Sequence, residues 1–234
     1  MSGKTHFLIS CEHGGNRIPS CYGKFFLGFG PLLRSHRGYD RGALRMARDF
    51  AEVLHAPLVA GTKSRLLVDL NRSVGHPTLF SEATKNVRAA VRKEILERYY
   101  LPYRNAAEQD IVEAVGAGKK VIHISAHSFT PELNGEVRNA DIGVLYDPSR
   151  PLERNLCRRW QAGLKARAPG LVVRCNYPYR GKANGFPTYL RRRFPADAYV
   201  GIELEINQKH VLKSGSSWRE LRSLLVETLR EAIA

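Results

Sequence analysis

Short apolar runs and helical periods alternate along the 234-residue chain. HFLIS is an apolar run followed by CEHGGNRIPS, a polar, glycine-rich segment closed by Pro19. The pair reads as a buried strand with a loop at its carboxyl end. Positions 43, 44, 46, 47, 50, 53 and 54 are apolar and follow a helical period, which places Asp40 at or near a helix N-cap. APLVA reads as a second strand, and SRLLVDLNRS as a third that leads into another polar loop. From about Ser81 to Val115 the pattern is helical, and Pro102 should end or kink that helix near Leu101. KKVIHISAHS predicts a buried strand that stops at His127–Ser128, and DIGVLYD predicts another. A helix is expected from Pro151 to about Arg167, then strands at LVVRC and YVGIELEIN. Ser217 to Ile233 closes the chain as a helix with Leu221, Leu224, Leu225 and Leu229 on its inner face.

Strands and helices in alternation predict an α/β fold, a mainly parallel sheet with helices on both faces. No repeat, low-complexity tract or linker interrupts residues 1–234, so a single domain is expected.

Composition narrows the function classes. Apolar residues make up 43% of the chain, enough for a packed core, yet no stretch approaches the ~20 apolar residues of a membrane span. MSGKTHFLIS has neither a long apolar stretch nor a small-residue cleavage site. Cys11, Cys21, Cys157 and Cys175 show no CxxC spacing and read as reduced thiols, so a cytoplasmic protein is expected. Lys+Arg outnumber Asp+Glu by 37 to 22, a net charge of +15 that attracts anions. The basic residues are scattered, which favours an acidic small-molecule partner over nucleic acid.

Ligands of open α/β sheets bind beyond the carboxyl ends of the strands. Three polar clusters lie at such ends: Glu12–His13–Gly14–Gly15–Asn16, His127–Ser128 and Glu203/Glu205. Asp69–Asn71–Arg72 follows VDL. Histidines and carboxylates converging on one rim are what a catalytic zinc site requires, with about three protein ligands and an open position for water. His13 and His127 are the expected ligands, with Asp40 as the third and Glu12 and Asn16 as alternatives. The bland readings are a loop histidine at 13 and a plain helix cap at 40. His123 reads as a satisfied core histidine. Glu203 and Glu205 share one strand face, as a general base and its neighbour or as the wet face of an edge strand. Arg65, Asn71 and Arg72 bracket VDL and suit a substrate carboxylate, although an Arg65–Asp69 pair would serve structure alone.

At these residues the sequence resembles the N-formylglutamate amidohydrolase family. The matching stretches are CEHGGNRIP, YDRGA, SRLLVDLNRS, YYLPY, HSFTPELNGEVR with DIGVLYD, NYPYRG and GIELEINQ, in family order over nearly the whole chain. The family's Pro-Tyr-His stands here as Pro102–Tyr103–Arg104. The resemblance implies a zinc-exopeptidase-like, three-layer αβα sandwich around a mainly parallel mixed sheet. Asn71–Arg72 resembles the pair with which zinc carboxypeptidases grip a terminal carboxylate, and His127–Ser128–Phe129 resembles their metal-ligand segment. The register of Ile202–Glu203–Leu204–Glu205 then selects Glu205 as base. His13–Gly14–Gly15 and Asp40 are similar to metal ligands of zinc-dependent cell-wall amidases.

The resemblance implies one Zn²⁺ on His13, Asp40 and His127, with Glu205 as general base and Arg138 beside the oxyanion. Arg65, Asn71, Arg72 and Ser128 would bind substrate. The expected reaction is hydrolysis of an N-acyl amino acid, N-formyl-L-glutamate first, to formate and the amino acid. A peptidase or cell-wall-type amidase on the same chemistry, or a metal-free basic nucleic-acid-binding protein, are the alternative readings.

Overall fold

A computed structural model describes residues 5–212 and 216–234. The sequence reading of the first residues falls partly on residues 1–4, which lie outside that range. The strands are β1 (Thr5–Cys11), β2 (Leu58–Ala60), β3 (Lys120–Phe129), the hairpin β4 (Glu132–Leu133) and β5 (Glu136–Val137), β6 (Ile142–Leu145), β7 (Val173–Cys175) and β8 (Tyr199–Asn207). The helices are α1 (Gly30–Arg34), α2 (Ala43–Val53), α3 (Ala89–Ile95), α4 (Leu101–Gly116), α5 (Pro151–Arg167), α6 (Phe186–Arg191), α7 (Gln208–Val211) and α8 (Ser216–Ile233).

Six strands form one sheet in the order β2-β1-β3-β8-β6-β7. Only the β6–β8 pairing is antiparallel, so the sheet is mixed and mainly parallel, as the alternation predicted. Side chains of alternate parity face opposite ways along a strand, and two cores result. Ile9, Ile122, Ile124, Ile202 and Leu204 pack on one face against Phe50 of α2, Trp160 of α5 and Leu225 and Leu229 of α8. Leu8, Val121 and Tyr199 pack on the other against Ile95 of α3, Tyr103 and Ile111 of α4 and Phe186 of α6. The architecture is a three-layer αβα sandwich. No described helix is long and apolar enough to cross a membrane.

One expectation is sharpened and two need correction. Asp40 lies near the start of α2, as expected, but is not its cap. Gly42 takes that position with φ +85°, and Asp40 sits two residues earlier in a turn whose Ala43 N–H donates to the Asp40 carbonyl at 3.2 Å. SRLLVDL is not a strand. Its backbone makes turns, with Arg65 N–H donating to Gly38 O at 3.2 Å and Asp69 N–H to Leu79 O at 2.8 Å. Leu66, Leu67, Val68 and Leu70 are all buried, and a run buried on every side carries no period that separates strand from turn. The helix expected from about Ser81 starts only at Ala89, after turns. Pro102 does not end it. A π turn at Leu96–Tyr100 carries the backbone on, with Leu101 N–H donating to Leu96 O, and α4 starts at Leu101 with the proline in its first turn. Pro102 has no N–H to donate and in a regular helix its ring would press on the carbonyl four residues back; here it follows directly on the wider π turn.

A candidate metal centre and its cleft

The sheet face under α4 and α6 carries a polar row where its opposite face is apolar. Across β1, β3 and β8 the register sets Ser10 beside Ser125 and Glu203, and His127 beside Glu205. All lie toward the carboxyl ends of parallel strands, at the junction where the chain leaves β1 for β2 on one side and later enters β3 on the other. Such a reversal opens a crevice in α/β sheets.

Asp40 reaches the crevice through backbone pairing rather than helix capping, its N–H donating to His13 O at 2.9 Å. Its Oδ2 lies 2.8 Å from His127 Nδ1 and 3.4 Å from His13 Nδ1. The three ligand atoms lie within 4.8 Å of one another, and all three residues are buried. A tetrahedral site with bonds near 2.05 Å sets neighbouring ligand atoms about 3.3 Å apart, so this spacing is close to what a zinc ion needs. The far nitrogens face carboxylates. His13 Nε2 is 2.7 Å from Asp69 Oδ1, and His127 Nε2 is 2.9 Å from Glu12 Oε2.

Charge supports the same reading. Glu12, Asp40 and Asp69 are three buried carboxylates, and Arg65 answers the two aspartates, standing 3.4 Å from Asp40 Oδ1 and 3.0 Å from Asp69 Oδ2. Arg72 approaches Asp69 only to 4.0 Å. Burial works against the Asp40 charge, yet His13 and His127 outweigh it and hold this carboxyl well below its usual range. For Asp69, burial is likewise outweighed, by Arg65 and then His13. Burial opposes charge on His127 too, but Asp40 and Glu12 raise its pKa well above that of a free histidine. The cluster therefore favours a positive charge at the point where the two Nδ1 atoms and Asp40 Oδ2 meet. The donor set fits a zinc ion.

Glu205 stands next to this cluster. Its Oε2 is buried with no hydrogen-bond partner among the described residues. Burial first, then Asp40 and Glu203, push its pKa up to about 8 against the pull of His127. Burial also raises Glu203, which sits at the cleft floor beside Gly185.

The cluster opens into a cleft of about 510 Å³ whose lining includes His13, Asp40, Arg65, Asn71, Arg72, His127, Ser128, Arg138 and Glu205. Every site residue expected from the sequence thus faces one cavity. Their engagements differ. Arg65 is held by the two aspartates. Arg72 donates to Asn184 O, and its Nε, 4.0 Å from Asp69 Oδ2, is buried without a hydrogen-bond partner among the described residues. Asn71 Oδ1 accepts from Phe186 N–H at 2.5 Å, which leaves its Nδ2 to donate. The Ser128 hydroxyl donates to Arg41 O at 2.8 Å and accepts from Gln208 Nε2 at 3.1 Å. Arg138 donates to the Tyr179 hydroxyl at 3.2 Å and pairs with no carboxylate among the described residues.

Of the alternative third ligands, Asn16 turns away to donate to Leu33 O at 3.0 Å, and Glu12 lies behind His127 rather than beside Asp40. Gly15 serves packing. A Cβ there would stand 2.4 Å from Thr62 O, so only glycine lets the loop after β1 lie against the loop after β2. His123 is satisfied, as expected, by Tyr199 and Ser10 at 2.7 and 2.8 Å. Asp69 as a partner of His13, and Tyr179 and Asn184 on the wall, were not singled out for these roles. NYPYRG supplies Tyr179, but local sequence does not show which way it faces.

Residues 5–212 match the family model of N-formylglutamate amidohydrolase, which is most of the chain. The chain belongs to the N-formylglutamate amidohydrolase family. Among solved structures it is similar to a gene product of Agrobacterium tumefaciens, with 29% identity, a TM-score of 0.84, and coverage of 99% of this chain and 92% of that one. It is also similar to the N-formylglutamate amidohydrolase of Ralstonia eutropha JMP134, with 19% identity, a TM-score of 0.70, and coverage of 99% and 94%. The second likeness, at that identity, concerns the fold. No curated protein matches the sequence. In this amidohydrolase family member, the departure at Arg104 lies away from the cleft. Arg104 is buried, donates to Leu70 O at 3.1 Å, and stacks over Phe186 and Tyr189 at 4.1 and 4.3 Å.

Proposed function

We propose that the chain is a zinc-dependent amidohydrolase that cleaves N-acyl amino acids, N-formyl-L-glutamate foremost, to the carboxylic acid and the free amino acid. The observation that carries this reading is the meeting of His13 Nδ1, Asp40 Oδ2 and His127 Nδ1 beside Glu205, whose buried Oε2 has no hydrogen-bond partner among the described residues. Those three residues would hold the ion. When bound, zinc lowers the pKa of a coordinated water toward neutrality and polarises the scissile carbonyl.

Glu205, opposite His127 on the neighbouring strand, accepts a proton from the attacking water and returns it to the departing nitrogen. Its buried position keeps bulk water from competing for that proton. Arg138 supplies guanidinium N–H groups toward the developing oxyanion. Arg72 and the Asn71 amide take the α-carboxylate, where the unpartnered Arg72 Nε offers a donor. Arg65 keeps Asp40 and Asp69 in place, and Ser128 fixes the wall through Arg41 and Gln208. In balance, one water and one amide give formate and an ammonium-bearing amino acid. The cleft's cationic wall and the net charge of +15 favour an acidic side chain as well.

The test is purified protein, loaded with zinc, against N-formyl, N-acetyl and N-succinyl derivatives of glutamate, aspartate, glutamine and leucine. Turnover of the acidic N-formyl substrates, lost with chelator and recovered with zinc, is the expected result. No hydrolysis of any of them by protein shown to carry zinc would overturn the reading.

A further inference from the structure

Glu12 is fully buried beneath the cluster and has a full set of hydrogen-bond donors. Its Oε1 accepts from Ser10 Oγ and from the Tyr103 hydroxyl, each at 2.7 Å. Its Oε2 accepts from Ser125 Oγ at 2.6 Å and lies 2.9 Å from His127 Nε2. That nitrogen is buried and has no other partner among the described residues, and its N–H points off the line of a good hydrogen bond to Glu12.

The directions of these bonds can be assigned. Ser10 has one hydroxyl proton and gives it to Glu12, so toward His123 Nε2, at 2.8 Å, it acts as acceptor. His123 Nε2 then carries the proton, and His123 Nδ1 accepts from the Tyr199 hydroxyl at 2.7 Å. Tyr199, His123 and Ser10 therefore donate in one direction, into Glu12. With Ser125 and Tyr103, they present a carboxylate that can only accept. An acceptor at this point requires a proton on His127 Nε2, which leaves Nδ1, on the Asp40 side, with its lone pair free for a cation.

Resting on the metal reading above, we propose that Glu12 is the positioning residue of the centre: it fixes the His127 ring and its tautomer so that Nδ1 is the ligand atom. Asp69 holds His13 Nε2 in the same manner at 2.7 Å, but it is neutralised by Arg65. Among the described residues, Glu12 has no arginine or lysine as a hydrogen-bond or ion-pair partner. Its charge is thus available to strengthen His127 as a donor to a cation.

The experiment measures zinc affinity of wild type, Glu12→Gln and Tyr103→Phe by competition against a chromophoric chelator. It is combined with ¹H–¹⁵N spectra of the zinc-loaded proteins labelled at histidine. Glu12→Gln should bind zinc about 10–100-fold more weakly, the range for loss of an outer partner of a metal-binding histidine, and the His127 Nε2–H resonance should move or disappear. Tyr103→Phe removes one of the three hydrogen bonds that anchor Glu12 and should lower affinity less, by under about tenfold, with a smaller shift of the same resonance. If Glu12→Gln does not fold, Tyr103→Phe carries the test alone. Wild-type zinc affinity with an unmoved His127 signal in the folded variants would overturn the proposal and leave the metal reading intact. A wild-type protein that takes up no zinc would remove both.

Discussion

His127 and Glu205 are direct partners across β3 and β8, so the expected metal ligand and the expected base project side by side from the same face of a rigid sheet. Neighbouring parallel strands lie about 4.8 Å apart, which holds the base next to the ligand without help from any loop. Replacing Glu205 by Gln keeps the shape and removes the proton acceptor. The turnover number should fall by about 10²–10⁴-fold while bound zinc, measured by atomic absorption, stays near one equivalent. A variant that keeps full activity would exclude Glu205 as the base.

Removal of the ion should act earlier than removal of the base. Dialysis against a strong chelator should abolish hydrolysis, and added Zn²⁺ should restore it. His13→Ala, Asp40→Ala and His127→Ala each delete one of the three converging ligand atoms. Each should retain far less than one zinc per chain after gel filtration. Stoichiometric zinc in all three would place the ion elsewhere.

Arg72 and Arg138 should separate in steady-state kinetics. Loss of a charged hydrogen bond to a substrate carboxylate costs about 1.5–3 kcal/mol, so Arg72→Ala should raise KM about 10–100-fold with kcat little changed. Arg138→Ala removes a donor expected to act on the oxyanion and should lower kcat by about 10²-fold. The opposite pattern would exchange the two roles.

A second buried charge tests the fold rather than the chemistry. Glu153 is fully buried and receives the Arg191 Nε at 3.0 and 3.1 Å, as well as Gly201 N–H at 3.1 Å and Asp147 N–H at 2.8 Å. Arg191→Met leaves that carboxylate without its main counter-charge and should destabilise by about 3–5 kcal/mol, read by urea denaturation. The double variant Arg191→Met with Glu153→Leu should recover part of the loss.

His123 gives a stability profile with a defined sign. Burial lowers its pKa to about 4, although Glu12 opposes the shift. Between about pH 6.5 and 4 the unfolded chain takes up a proton there that the folded chain refuses, so this group lowers stability as the pH falls. Its full effect is about 3 kcal/mol, reached near pH 4 and constant below. Wild type and His123→Gln, compared by urea denaturation from pH 7.5 to 4.5, should differ in slope by that sign, with the variant flatter. Parallel profiles would remove His123 as the cause.

Much of this architecture was legible from periodicity. The helix Pro151–Arg167 and the strand Tyr199–Asn207 have the bounds that their apolar patterns gave. The two histidines could be placed at strand ends because ladder and loop composition differ sharply there. What local pattern could not convey is which buried segment is strand and which is turn. Leu66 to Leu70 is packed on all sides, and its N–H groups donate to Ser64 and Leu79, not to a neighbouring strand. Asp40 was placed near a helix start, whereas its direction comes from backbone pairing with His13 O. The outer partners were least visible. Tyr103 lies 91 residues from Glu12 and Asp69 lies 56 from His13, and no local spacing encodes contacts of that range.

The π turn at Leu96–Tyr100 adds one residue to a helix that would otherwise run straight from α3 into α4. One residue is about 100° of helical phase. Because of that offset, Tyr103 looks down at the sheet while α3 keeps its own apolar side inward. A chain lacking a single residue there would still be helical and still bury apolar surface, but it would have to give up either the α3 packing or the Tyr103 hydroxyl. The length of this one turn therefore works as an angular setting, transmitted along a helix to the carboxylate under the cleft.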